Sequence, residues 1–189
     1  HAKELDTLNT KRRNIETELS KLALEKASSK WEGQRCLCLS GENWHEGVKG
    51  IVAARVVDKY QVPSIIFTID GDEARGSGRS VGDIDLFSVV NEQSDLLTRY
   101  GGHKGAVGIT LPSKNLEAFE QRMNESLKQF DEAKFKKTIN IDTVVSLDEL
   151  TLENVKMLEK CGPFGQENEK PLLLAKNVTE FDGRPVGVS

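Results

Sequence analysis

Three short segments place basic or hydroxyl side chains beside glycines. They are Trp44-His45-Glu46-Gly47-Val48-Lys49-Gly50, Arg75-Gly76-Ser77-Gly78-Arg79-Ser80 and Arg99-Tyr100-Gly101-Gly102-His103-Lys104. This combination suits an anion. Glycines beside Ser77 let the backbone approach a ligand closely. Ser77 and Ser80 offer hydroxyls, and Arg79 offers a planar fork that can hold two phosphate oxygens at once. Arg75 and Lys104 add positive charge. Gly101 and Gly102 form a pair that can fold around an anion and deliver the His103 imidazole to it. His45 stands where the chain enters a helix, whose free N–H groups attract anions. It could donate to a phosphate or simply cap that helix, and its residue type alone leaves both open.

Each segment by itself could be a turn. Three in one small α/β unit predict a pocket for a terminal or scissile phosphate. Gly76-x-Gly78 with Gly82 beyond also imitates a dinucleotide fingerprint. That reading fails, because no long helix opens there and no strand with a ribose-binding acid follows at the required distance. Phosphate-ester cleavage by paired metals needs several carboxylate and histidine ligands in one place. Apart from His1, the chain offers only His45 and His103, with no D-x-D or H-x-x-x-H pattern near them. The expectation is a chain with no catalytic residue, metal or cofactor of its own.

Composition bounds the remaining choices. At 37% hydrophobic and 30% charged residues, the 189-residue chain reads as globular. Its net charge of −4 means that any nucleic-acid contact must come from a local basic patch. No apolar run is long enough to cross a bilayer and no signal peptide is visible, so the expectation is a cytoplasmic protein with no membrane contact. Cys36, Cys38 and Cys161 fit neither a zinc knuckle nor a C-x-x-C motif, and read as reduced small hydrophobes.

Stepping along the chain, Leu5, Leu8, Ile15, Leu19 and Leu22 predict one long helix from Lys3 to about Lys26. Strand Arg35–Ser40, helix Gly47–Tyr60 and strand Ser64–Ile69 form a crossover unit, which predicts parallel strands. Val48, Ile51, Val52, Val56 and Val57 should be that helix's buried side, and Pro63 should stop it. Glu73–Ser80 reads as an extended glycine-rich segment. Asp85–Asn91 and Ser94–Arg99 read as short helices, and Gly105–Leu111 as a strand. Ser113 should cap an amphipathic helix running to about Asp131. Beyond it come strand Thr138–Val145, helix Thr151–Lys160, a Gly162–Gly165 turn, strand Pro171–Val178 and a turn at Gly183 and Pro185.

With those residues in view, the chain resembles the C-terminal half of the RecJ-type single-stranded-DNA exonucleases of the DHH phosphoesterase superfamily. Trp44–Arg55 is similar to the family's W-H-x-G-V-x-G-I-V-A-x-R. Gly76–Ser80 is similar to its G-S-G-R-S, and Tyr100–Gly108 to its Y-G-G-H-x-x-A-x-G. Pro163-Phe164-Gly165 resembles the P-F-G of its oligonucleotide-binding (OB) fold. Asn9, Arg12, Arg13 and Glu16 resemble the helix that follows its catalytic domain.

The resemblance implies an α/β fold, a mixed sheet flanked by helices, preceded by a long helix and followed by a partial OB-fold. Residues 1–30 would connect to a missing DHH catalytic domain holding manganese or magnesium. Residues 31–132 would be the DHH-associated domain, and 133–189 the start of the OB-fold. The implied parent degrades single-stranded DNA from the five-prime end in repair and recombination. Partners would be single-stranded DNA, the DHH domain of the same chain and single-stranded-DNA-binding protein. Two other readings are a phosphoesterase acting on cyclic dinucleotides or short RNA, and a non-enzymatic adaptor that dimerises through the first helix.

Overall fold

The computed structural model describes residues 2–165 and 167–179. The chain divides into two compact units, His1–Lys137 and Thr138–Ser189. The first unit opens with α1 (Ala2–Lys30) and continues through β1 (Leu37–Glu42), a 3-10 turn (Glu46–Val48), α2 (Lys49–Tyr60), β2 (Ser64–Asp70) and β3 (Glu73–Arg79). Then come α3 (Leu86–Asn91), β4 (Arg99–His103), β5 (Ala106–Pro112) and α4 (Leu116–Lys128). The five strands form one mixed sheet in the order β1-β2-β3-β5-β4. β1 and β2 are parallel, joined by the α2 crossover, and the other pairs are antiparallel.

The sheet's two sides carry different helices. Phe67, on β2, meets Phe119 of α4 edge to face at 6.0 Å, and Leu86 of α3 reaches Gly78 on the same side. α2 packs against β2 and β3 on the other side, and α1 packs on α2. Gln61 ends α2 in the left-handed conformation, donating its N–H back to Val57. Val48, Val52, Val56 and Val57 are buried as their spacing predicts, but Ile51 is exposed. α1 seats only its second half. Leu19, Ala23 and Ala27 are buried, whereas Leu5, Leu8 and Leu22 are exposed. Alanines let the two helices come close, which rotates the contact away from the leucine stripe. Glu16 is buried there and accepts from both Arg12 and Arg55, tying α1 to α2.

Residues 73–80, expected to be extended and glycine-rich, are largely the middle strand of the sheet. Two expectations are corrected, the first being residues 99–103, which form the edge strand where a helix end and a loop were expected. Glycine has poor strand propensity, so the five residues 99–103 do not read as β structure; the ladder with β5 imposes it. Gly76 has its own reason. A Cβ there would lie 2.5 Å from the Phe67 ring. Ser113 does not cap α4 either. Its hydroxyl donates to the Gly71 carbonyl at 3.3 Å.

In the second unit, β6 (Thr143–Val145) pairs in parallel with β7 (Leu173–Ala175), and α5 spans Leu152–Glu159. Both strands are shorter than the expected Thr138–Val145 and Pro171–Val178. Thr151 caps α5, its hydroxyl accepting from the Asn154 N–H at 3.2 Å. None of the described residues of this unit is buried. The turn expected at Gly183 and Pro185 lies outside the described residues.

Candidate nucleic-acid interface

Side chains alternate along β3. Ala74, Gly76 and Gly78 are buried toward α3 and α4. Arg75, Ser77 and Arg79 therefore point to the α2 side. Two contacts place α2 over them. Lys49 donates its ammonium to the Arg75 carbonyl. Gly50 faces Arg79 and Ser77, so that a Cβ on Gly50 would lie 2.7 Å from Arg79 Nη2 and 3.3 Å from Ser77 Oγ. The guanidinium of Arg79 thus folds back along the strand to lie near the Ser77 hydroxyl, beneath the first turn of α2.

Strand register extends the site sideways. Paired residues share a face. Arg79 pairs with Ala106, which pairs with His103. Ser77 pairs with Gly108, which pairs with Gly101. Arg75 pairs with Thr110, which pairs with Arg99. The middle row has no side chains beyond Ser77. Nothing lies within 4 Å of a Cβ placed on Gly101 or on Gly108, and both glycines are exposed. The result is an open trough with a glycine floor, Ser77 and Arg79 on one wall, and His103 and Arg99 on the other.

Charge within the trough is not evenly committed. Arg75 is bonded to Glu73 at 2.7 Å, which holds its guanidinium firmly protonated. Lys104 is paired with Asp83 at 3.2 Å. Among the described residues neither Arg79 nor Arg99 is ion-paired to a carboxylate; Arg79 donates only to the Gly78 carbonyl, at 3.0 Å. These two permanent cations are available to an anion. Lys49 is fully buried and bonded to Glu46 at 2.7 Å, and its burial pulls its pKa below the usual lysine value.

The two histidines share one device. Nδ1 of His45 accepts from the Gly47 N–H at 3.1 Å, and Nδ1 of His103 accepts from the Gly105 N–H at 3.2 Å. In the neutral ring this pattern assigns the proton to Nε2, leaving each exposed imidazole a donor. His45 caps the 3-10 turn before α2, so the helix-capping reading of that residue is realised. His103 lies in the trough.

The structure therefore brings together Ser77, Arg79, Gly101 and His103. It puts Gly78 and Gly102 in the alternate register, facing away from the trough. Gly102, with φ 147°, has no room for a Cβ against the Ala106 carbonyl. The Ser80 hydroxyl is engaged, donating to the Ile84 carbonyl at 2.7 Å. Three residues of the trough lie within the quoted motifs but outside the expected phosphate-binding set: Arg99, Gly108 and Gly50. Strand alternation through residues 99–110 would have exposed the first two, once those residues were read as strands. Among the described residues there is no group of three or more His, Cys, Asp or Glu side chains placed to hold a metal, so the residues present do not fit a metal pair.

A family model for the DHHA1 domain matches residues 33–129, and one for the RecJ OB domain matches residues 141–189. The chain belongs to the DHHA1 family. Its DHHA1 domain carries the trough. Over its full length the chain is 31% identical to the single-stranded-DNA-specific exonuclease RecJ of Bacillus subtilis, of which it covers 24%. It is 32% identical over 97% of its length to RecJ of Salmonella typhimurium, covering 32% of that protein. Among solved structures, RecJ of Thermus thermophilus with Mn2+ superposes on 91% of the chain with a TM-score of 0.77 at 26% identity, and the form with Mg2+ on 90% with a TM-score of 0.74 at the same identity. The chain spans a quarter to a third of the length of these curated relatives.

Proposed function

We propose that this chain is the nucleic-acid-binding part of a RecJ-type exonuclease that degrades single-stranded DNA from the five-prime end, and that the DHHA1 trough grips the terminal phosphate. One observation carries the reading. The unpaired Arg79 guanidinium is held near the Ser77 hydroxyl, at a position that only glycine at residue 50 leaves open. Arg79 supplies a permanent charge and a donor fork, and Ser77 a hydroxyl. His103 supplies Nε2–H from across the glycine floor. Each charge-assisted hydrogen bond to a phosphate is worth about 1.5–3 kcal/mol. Loss of either basic residue therefore weakens binding roughly ten- to a hundredfold.

On this reading residues 1–30 lead from a DHH catalytic domain that carries the manganese or magnesium, residues 31–132 hold the strand end, and residues 133–189 begin the OB-fold that holds the rest of the strand. The chain alone binds DNA without cutting it. Its parent works in the cytoplasm, in repair and recombination, on strands delivered with single-stranded-DNA-binding protein.

The test is to titrate the chain, at fixed salt, against one oligonucleotide carrying either a five-prime phosphate or a five-prime hydroxyl. Wild type prefers the phosphate, and Arg79→Ala and His103→Ala each lose most of that preference. If both folded variants keep it, the trough is not the phosphate site.

A further inference from the structure

The trough has two ends, and the terminal phosphate accounts for only one of them. At the other end, on the edge strand, Arg99 stands in one row with Thr110 and Arg75. Arg75 is committed to Glu73, but Arg99 has no carboxylate partner among the described residues. Thr110 is partly exposed on the same face, so a hydroxyl lies next to the free guanidinium. This is the same pair of chemistries, an unpaired arginine with an aliphatic hydroxyl, that Arg79 and Ser77 offer at the first end.

The separation between the two ends follows from sheet geometry. Ser77 and Arg99 are two strands apart and two residues apart along the strands. With about 4.8 Å between strands and about 3.4 Å per residue, the diagonal is about 12 Å. A nucleotide advances about 3.4 Å in a stacked duplex and roughly twice that when the strand is drawn out. The diagonal therefore matches two drawn-out nucleotide steps. Between the ends lie only Gly108 and Gly101, above which a Cβ would meet nothing within 4 Å. A sugar–phosphate chain can lie there without displacing a side chain.

We propose that Arg99 with Thr110 forms a second phosphate subsite, taking the phosphate two nucleotides in from the gripped end. The DHHA1 face then reads a length as well as an end: a strand must carry three phosphates to fill it. This rests on the terminal-phosphate reading above, and the two can fail separately.

The experiment uses the full 189-residue chain and a series of thymidine oligonucleotides with a five-prime phosphate, from one to five nucleotides, under fixed salt. Affinity should step up about five- to tenfold between the second and third nucleotide, and the dependence of log K on log salt should steepen by about 0.7 at that same step. Arg99→Gln should erase the step while leaving the preference for a five-prime phosphate over a hydroxyl intact. Arg79→Ala should do the reverse. A trimer whose third phosphate is a neutral methylphosphonate should lose the step on wild type and lose nothing further on Arg99→Gln. Arg99 is exposed, so a thermal melt of Arg99→Gln should match wild type. A step that persists in Arg99→Gln, or that survives the neutral linkage, overturns the second subsite even if the end preference stands. A step lost in Arg99→Gln, in a chain with no end preference, overturns the terminal-phosphate reading instead.

Discussion

On the side of the sheet turned to α3 and α4, Gly76 lies beneath the Phe67 ring and Gly78 is hemmed in by Val107, Ile65 and Leu86. On the other side, Gly101 and Gly108 border open space. The same residue type in the same three strands thus does two jobs. Toward the helices, glycine makes room for large apolar side chains of the core. Toward the trough, it makes room for something the chain does not itself supply. Glycine between unpaired cations on an uncovered sheet face marks a place kept clear for a ligand, whereas glycine under an aromatic ring is part of the packing.

Six substitutions sharpen or break that comparison. The largest effect belongs to the packed side. Phe119 is fully buried against Phe67, and Phe119→Ala should cost about 3–5 kcal/mol in a urea melt, whereas Gly108→Ala on the open side should stay within about 0.5 kcal/mol. Next, Gly76→Ala forces its Cβ into the Phe67 ring and should cost about 1–3 kcal/mol through overpacking. Gly101→Val should leave the melt nearly unchanged and weaken oligonucleotide binding instead. If Gly101→Val binds as wild type, the floor is not a binding surface.

Third comes Lys49, the buried cation at the rim where α2 meets β3. Its pKa is lowered in the folded chain, chiefly by desolvation. Between that lowered value and 10.5 the folded chain binds fewer protons than the unfolded one, so this residue's contribution to stability rises with pH through that window. Lys49→Met removes this rise. It also removes the bond to the Arg75 carbonyl that seats Gly50 over Arg79, and the end-phosphate preference should fall while the melt moves little. A melt unchanged in its pH slope contradicts the assignment of that slope to Lys49. The smallest effect is at the outer edge of the packed side, where Arg122 donates twice to Asp95. The Arg122 bond holds the Asp95 carboxyl below its usual 3.8. This pair contributes above that value and is lost as pH falls through the depressed pKa. Asp95→Asn should lower the neutral plateau of the stability curve slightly, leave its acid end in place and so flatten the acid limb.

Much of the fold was legible in the chain because its signals are local. The valine spacing of α2 and the apolar runs before and after it predict a crossover, and β1 and β2 are parallel. The Phe119, Met123 and Leu127 spacing predicts the buried face of α4. What was not legible follows from glycine. Residues 101–102 have too little side chain to announce a strand, so the edge strand Arg99–His103 reads as a helix end followed by a loop, whereas residues 73–80 read as extended without showing which strands they pair with. The strand expected over Thr138–Val145 forms only at Thr143–Val145, because a β-branched run reports propensity and not pairing.

The sequence by itself determined which groups could meet a phosphate: Arg79, Ser77 and His103, each set beside glycines that permit close approach. Only the tertiary structure decided which of those groups share a surface. Strand alternation puts Ser77 and Arg79 on one face and Gly78 on the other, ladder register carries that face across β5 to His103 and Arg99, and α2 stops short of β5 and β4, so half the face stays open. Those are properties of pairing and packing between segments distant in the chain, and no local pattern of residues encodes them.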